Sequence, residues 1–123
     1  MRTFIFSVVL ALSSFSTMMS YALSCEKLKM YAAQLNEASE MIAGILHDSD
    51  PPAVEKMLSV ANSMDRLIQS CGQVSSDKLC AKLRPLQEEY LENLPNLEGY
   101  GGMPGTFKLA RLASQGIITE CSL

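Results

Sequence analysis

The sequence predicts an all-α protein: a small disulfide-stapled bundle of three long helices and one short C-terminal helix, preceded by a signal peptide. Apolar residues recur at intervals of three and four through most of the chain, which is the period of an amphipathic helix. Four cysteines follow the first 22 residues, and those first residues have a composition unlike the rest. We therefore assign residues 1–22 to the signal peptide and residues 23–123 to one helical domain.

The N-terminal segment has the parts of a secretory signal. Arg2 provides a positive charge, and the residues from Phe4 to Leu12 form an apolar stretch. Small residues before the cleavage position predict a mature protein that begins at Leu23 or at Cys25, without an acyl chain. Two alternatives stay open, an uncleaved membrane anchor and a lipoprotein acylated on Cys25. The serine-rich second half disfavours an anchor, and acylation would leave an odd number of thiols.

The charge of the domain limits its partners. Without Arg2, nine basic residues stand against thirteen acidic ones, and the mature net charge is −4. A nucleic-acid partner or an anionic membrane surface would require a concentrated basic face. We therefore expect no nucleic-acid partner. From the signal segment we expect a protein that is exported to the periplasm or secreted, with no membrane span after signal removal, and we expect it to be a monomer.

The cysteines predict disulfides. An even number in an exported domain of this size is typical of a disulfide framework. The four residues are Cys25, Cys71, Cys80 and Cys121. No two of them have the close spacing of a zinc site, so we expect no metal and no cofactor. All three pairings are formally allowed, but antiparallel helices joined by short turns favour Cys25–Cys71 together with Cys80–Cys121.

The first two helices are predicted from their apolar faces and caps. Ser24 is a plausible N-cap for a helix that ends near Leu46. Asp50 followed by Pro51 starts the second helix, and Gly72 ends it. The predicted inward residues of the first helix are Leu28, Tyr31, Ala32, Leu35, Ala38, Ile42, Ile45 and Leu46. The long helices and the short turn between them predict an antiparallel pair.

The third helix begins at Ser76 and Asp77 and contains a proline. Pro85 removes one backbone donor and crowds the preceding turn, so we expect a kink or a break near residues 82–84. Pro95 is expected to end the helix. The predicted inward positions include Leu79, Cys80, Leu83, Tyr90, Leu91 and Leu94.

A glycine-rich loop, residues 98–105, separates the third helix from the last. Thr106 is expected to cap a short final helix that ends near Ala113 or Ser114, with Gly116 as its stop signal. The predicted inward residues are Phe107, Ala110 and either Leu112 or Ala113. Residues 117–119 are expected to run extended toward the last cysteine.

Catalytic groups are scarce in this chain. Its one histidine, His47, follows a helix end beside Asp48, and nucleophilic catalysis requires a nucleophile with a base. The carboxylates of the third helix fall on a polar face, where solvated charge is the usual state. We therefore expect no enzyme.

The loop at residues 98–105 is the predicted contact surface. It carries an aromatic residue and a methionine on a flexible backbone, with acidic residues close by in the sequence. The predicted partner-binding residues are Tyr100, Met103, Glu98, Glu92 and Glu89. The expected function is a non-catalytic exported binding protein, of inhibitor or immunity type, that binds another exported protein through this loop.

A second function is suggested by the methionines. Met57 and Met64 lie on the apolar stripe of the second helix, and methionine is adaptable enough to line a site for varied apolar molecules. The alternative is therefore a carrier of a small apolar ligand between helices.

Overall fold

The computed structural model describes residues 23–100 and 103–122. They form four helices, α1 (Cys25–Leu46), α2 (Pro51–Gln69), α3 (Ser76–Glu98) and α4 (Pro104–Cys121). The all-α class and the bundle architecture are confirmed. The predicted signal peptide, residues 1–22, lies outside the described residues.

Three helices begin at side-chain caps that the sequence largely indicates. Ser24 Oγ accepts a hydrogen bond from Lys27 N at 3.3 Å at the start of α1. Asp50 Oδ1 does the same for Ala53 N at 3.3 Å, with Pro51 in the first turn of α2. Ser75 caps α3, one residue before the predicted start. Each cap satisfies one of the backbone donors that a helix N-terminus leaves without a partner.

The helices form a ring of antiparallel neighbours. α1 packs on α2 and α4, and α3 packs on the same two helices. Disulfides join Cys25 to Cys71, with Cα atoms 5.7 Å apart, and Cys80 to Cys121, with Cα atoms 5.6 Å apart. The predicted pairing is therefore confirmed. Both bonds lie at one end of the bundle, the disulfide pole; the opposite end, where α3 leads into α4, is the loop pole.

α3 is continuous, although the sequence predicted a kink or break near Pro85 and an end at Pro95. The helix runs through both prolines to Glu98. Both rings are exposed, whereas Leu83 and Gln87 on either side of Pro85 are buried. A proline on the solvent side leaves the orphaned carbonyl near water, and packing of the opposite face holds the helix together.

α4 is longer than predicted. It continues through Gly116 to Cys121, so residues 117–119 are helical and not extended. The reason lies in the packing between α4 and α1. A Cβ atom at position 116 would come within 2.5 Å of the ring of Tyr31. Gly116 therefore allows two helices to approach closely, and it does not end one.

Two glycine substitutions separate packing from helix propensity. Gly116→Ala is expected to destabilise the fold by about 1–2 kcal/mol, because the new methyl group must displace the Tyr31 ring. Gly44→Ala in α1 is the matched control, since a Cβ atom there meets nothing within 4 Å. It is expected to stabilise by about 0.5–1 kcal/mol through reduced chain entropy. Urea unfolding of both variants tests this, and a gain of stability at position 116 would contradict it.

Two polar side chains of the core form a hydrogen bond with each other. Tyr90 of α3 and Ser39 of α1 are fully buried, and their hydroxyl oxygens lie 2.6 Å apart. Ser39 Oγ also lies 2.6 Å from the carbonyl oxygen of Leu35, which can only accept. Ser39 therefore donates to Leu35, and Tyr90 donates to Ser39. Burial raises the pKa of Tyr90 to about 12, an effect that the hydrogen bond between Tyr90 and Ser39 partly offsets.

Candidate functional site

The predicted contact loop is shorter in the structure than in the sequence analysis. α3 extends to Glu98 and α4 begins at Pro104, so the connection comprises residues 99–103. Tyr100 is 50% exposed in the turn after α3. Met103 adopts a left-handed conformation, with φ 56° and ψ 42°, and its side chain packs partly against the core. Tyr100 is thus accessible to a partner, while Met103 also anchors the start of α4.

Two of the predicted acidic residues form ion pairs with different helices. Glu98 pairs with Arg111 of α4, and Glu89 Oε1 lies 3.3 Å from Lys56 Nζ of α2. The two carboxylates therefore point to opposite neighbours of α3 and do not converge. Glu92 is exposed. Exposed pairs of this kind contribute about 0–1 kcal/mol each, so they position side chains more than they stabilise the fold.

Exposed apolar side chains form a feature that the sequence analysis missed. On α1, Met41 is 49% exposed and Ile45 is 61% exposed; on α4, Leu109 is 38% exposed and Leu112 is 54% exposed. All four lie in the half of these neighbouring helices that is nearer the loop pole. With Tyr100 they make up what we call the apolar surface. Groups of exposed large apolar residues are a common mark of interaction sites in small domains.

Ile45 is the clearest correction to the predicted core. The sequence placed it inward because it follows Ile42 by three residues. The buried stripe of α1 instead runs through Leu35, Ala38, Ile42 and Leu46. Ile45 is one residue before Leu46 and is therefore rotated by about 100° from it. The sequence did contain a signal for this exposure, because α1 has more apolar residues than one inward stripe requires.

The last helix shows the same effect. The sequence left open whether Leu112 or Ala113 faces inward, and the structure buries Ala113. A small residue suits that position because α1 and α4 approach closely around Gly116. Leu112 is consequently left on the surface.

The methionine stripe of α2 belongs to the packed core. Met57 and Met64 are both fully buried. Two surface clefts, of about 470 and 360 Å³, have linings that include several polar and charged side chains. Neither cleft is lined by these methionines.

The described residues were compared with the requirements of a metal site and of a membrane-spanning helix. Within residues 23–100 and 103–122, no group of three or more histidine, cysteine or acidic side chains is placed to hold a metal ion. His47 is exposed, with its Nε2 atom 3.1 Å from Asp48 Oδ2. None of the four helices is both long and apolar enough to cross a membrane.

The fold and this site define a disulfide-bonded four-helix bundle with an exposed apolar surface toward one pole. Comparison with protein-family models, with curated proteins and with solved structures finds no match to the chain.

Proposed function

We propose that this protein is a non-catalytic binding protein that acts outside the cytoplasm and binds another exported protein through its apolar surface. The observation that carries the proposal is the exposure of Met41, Ile45, Tyr100, Leu109 and Leu112 in one half of the bundle. Aromatic residues and methionine are enriched in protein interfaces. The two disulfides support an oxidising compartment.

The charges near the loop pole suggest the chemistry of the partner. Glu92 is exposed and forms no salt bridge with any described residue. The domain as a whole is acidic, with an overall net charge of −3 for the full chain. A partner with an apolar depression beside basic residues would complement this surface, and the charge would speed their encounter. An inhibitor or immunity-type role, in which a small domain covers a cleft of its partner, fits these properties.

The alternative function, transport of a small apolar ligand between helices, has less support. Its methionines, Met57 and Met64, are fully buried among other core side chains. Binding a ligand there would require the helices to separate.

Paired alanine substitutions test the apolar surface. Tyr100→Ala combined with Ile45→Ala is expected to weaken partner binding about 30-fold or more, since truncation of a buried aromatic anchor removes about 2 kcal/mol or more. The stability of the free protein should change by less than about 1 kcal/mol, because both side chains are exposed in the free protein. Capture from the native compartment followed by titration calorimetry with the identified partner measures the effect.

Val74→Ala is the matched control. Val74 is 44% exposed, like the tested residues, but it lies at the disulfide pole. It should leave partner affinity unchanged. Equal affinities for the parent and the Tyr100→Ala, Ile45→Ala variant would sink the proposal, as would an equal loss in the control.

A further inference from the structure

Glu120 at the disulfide pole is a nearly buried carboxylate that forms no ion pair within residues 23–100 and 103–122. Glu120 lies in the last turn of α4 and is only 6% exposed. Its Oε1 atom accepts a hydrogen bond from Ser24 N at 3.3 Å. A negative charge at a helix C-terminus is disfavoured by the helix dipole, and a buried carboxylate without a cation is costly. A positively charged group beside Glu120 would remove both penalties.

The residues around Glu120 limit which positively charged groups could reach it. Glu120 lines a cleft of about 470 Å³ together with Leu23, Asp77 and Arg84. Arg84 forms no salt bridge with Glu120 within the described part of the chain. Among residues 23–100 and 103–122, no hydrogen bond reaches the second oxygen of Glu120. Leu23 directly precedes Ser24, whose N–H group donates to Glu120, and Leu23 also packs against the core.

We propose that Glu120 binds the α-ammonium group of the mature chain, and that the mature chain begins at Leu23. The inference rests on cleavage of the predicted signal peptide and goes beyond partner binding. The nitrogen atoms of Leu23 and Ser24 belong to consecutive residues, so a carboxylate bonded to one is within reach of the other. In the precursor, the nitrogen of Leu23 is a neutral amide. Cleavage converts it into an ammonium group, which forms a stronger, charge-assisted hydrogen bond.

The alternative start, at Cys25, would remove two of the contacts just described. Ser24 supplies both the N-cap of α1 and the N–H group that reaches Glu120. A chain that begins at Cys25 has neither. Cleavage before Leu23 keeps both and adds the ion pair, so removal of the signal peptide strengthens the attachment of α1 to α4.

A double-mutant cycle tests the ion pair in the oxidised protein. One protein begins at Leu23, and the second carries Gly-Ser before Leu23, which moves the ammonium group two residues away. The extension is expected to lower the melting temperature by about 5 °C. In the Glu120→Gln background the extension should change nothing, because the amide keeps the Ser24 hydrogen bond but carries no charge. An equal effect of the extension in both backgrounds would overturn the proposal.

The pH dependence of the stabilisation provides a second test, which does not require the Glu120→Gln variant. An α-amino group has an ordinary pKa of about 7.7–8.0, and a neighbouring carboxylate raises it. The stabilisation is therefore present below pH 8 and is lost as pH rises through the folded-state value. The other charged groups that line the cleft are Asp77 and Arg84. An NMR titration of the Leu23 amine should give a value above 8.0, and a value at or below 8.0 would overturn the proposal.

The mass of the exported protein gives a direct check of the start site. A chain that begins at Leu23 supports the proposal. A chain that begins at Cys25, or one that keeps an acyl group, overturns it. Either result leaves the partner-binding proposal intact, since that surface lies toward the opposite pole.

Discussion

Loss of either disulfide is expected to lower the melting temperature by about 20 °C. The paired variants are Cys25→Ala with Cys71→Ala, and Cys80→Ala with Cys121→Ala. The bonds close chain segments with sequence separations of 46 and 41 residues, and the chain-entropy model assigns about 4 kcal/mol to each loop. A small domain has a total stability of about 5–15 kcal/mol, so each bond is a large share of it. Circular dichroism melts of the three proteins measure the shifts.

The two paired variants also serve as controls for each other. Their loops are nearly equal in length, so the entropic model predicts nearly equal shifts. Removal of both bonds should leave little folded protein at 37 °C. A shift below about 5 °C in either variant would contradict the expectation and would show that the bond removed contributes little to the stability of the bundle.

Leu35→Ala is expected to reduce the free energy of unfolding by about 2–5 kcal/mol. Leu35 is fully buried in the core, with 0% of its surface accessible to solvent. Its truncation removes apolar contacts and leaves a cavity that the surrounding helices fill only in part. Urea unfolding at constant pH measures the change, and partner affinity measured on the folded fraction should stay the same.

Ile45→Ala on the same helix is the matched control for Leu35→Ala. Ile45 is 61% exposed, and its truncation should change stability by about 0.5 kcal/mol or less. The contrast would fail if both variants unfolded at the same urea concentration. That outcome would place Ile45 in a packed environment and would remove it from the apolar surface.

The local features of the fold were predictable from sequence because their causes are local. The caps Ser24 and Asp50 act within one turn, and helical spacing identifies most of the core. The disulfide pairing followed from the directions of adjacent helices. The roles of Gly116 and Pro85 were not predictable, since each depends on which side of the helix another element covers. The contact of Gly116 with Tyr31 and the exposure of Pro85 to solvent are properties of the tertiary structure.

The candidate site was predictable in part. An exposed Tyr100 was expected from a glycine-rich connection and is observed. The ion pairs of Glu89 and Glu98 were not foreseen, because their partners Lys56 and Arg111 lie on other helices. The exposed apolar residues of α1 and α4 could not be identified from helical periodicity. Periodicity shows that a residue lies near an apolar face of its helix, but not how much of that face the neighbouring helices cover.

The Tyr90–Ser39 hydrogen bond has a consequence for alternative packings of the bundle. Leucine-rich faces can slide against each other at little energetic cost, and a displacement of one helical turn is about 5.4 Å. Such a slide of α3 would leave the phenol of Tyr90 in the core without its acceptor, which costs about 1–3 kcal/mol. The bond joins α1 to α3, two helices that face each other across the ring. The hydrogen bond therefore disfavours a displaced α3, and it acts in the middle of the bundle, whereas the Cys80–Cys121 disulfide fixes α3 against α4 at the disulfide pole.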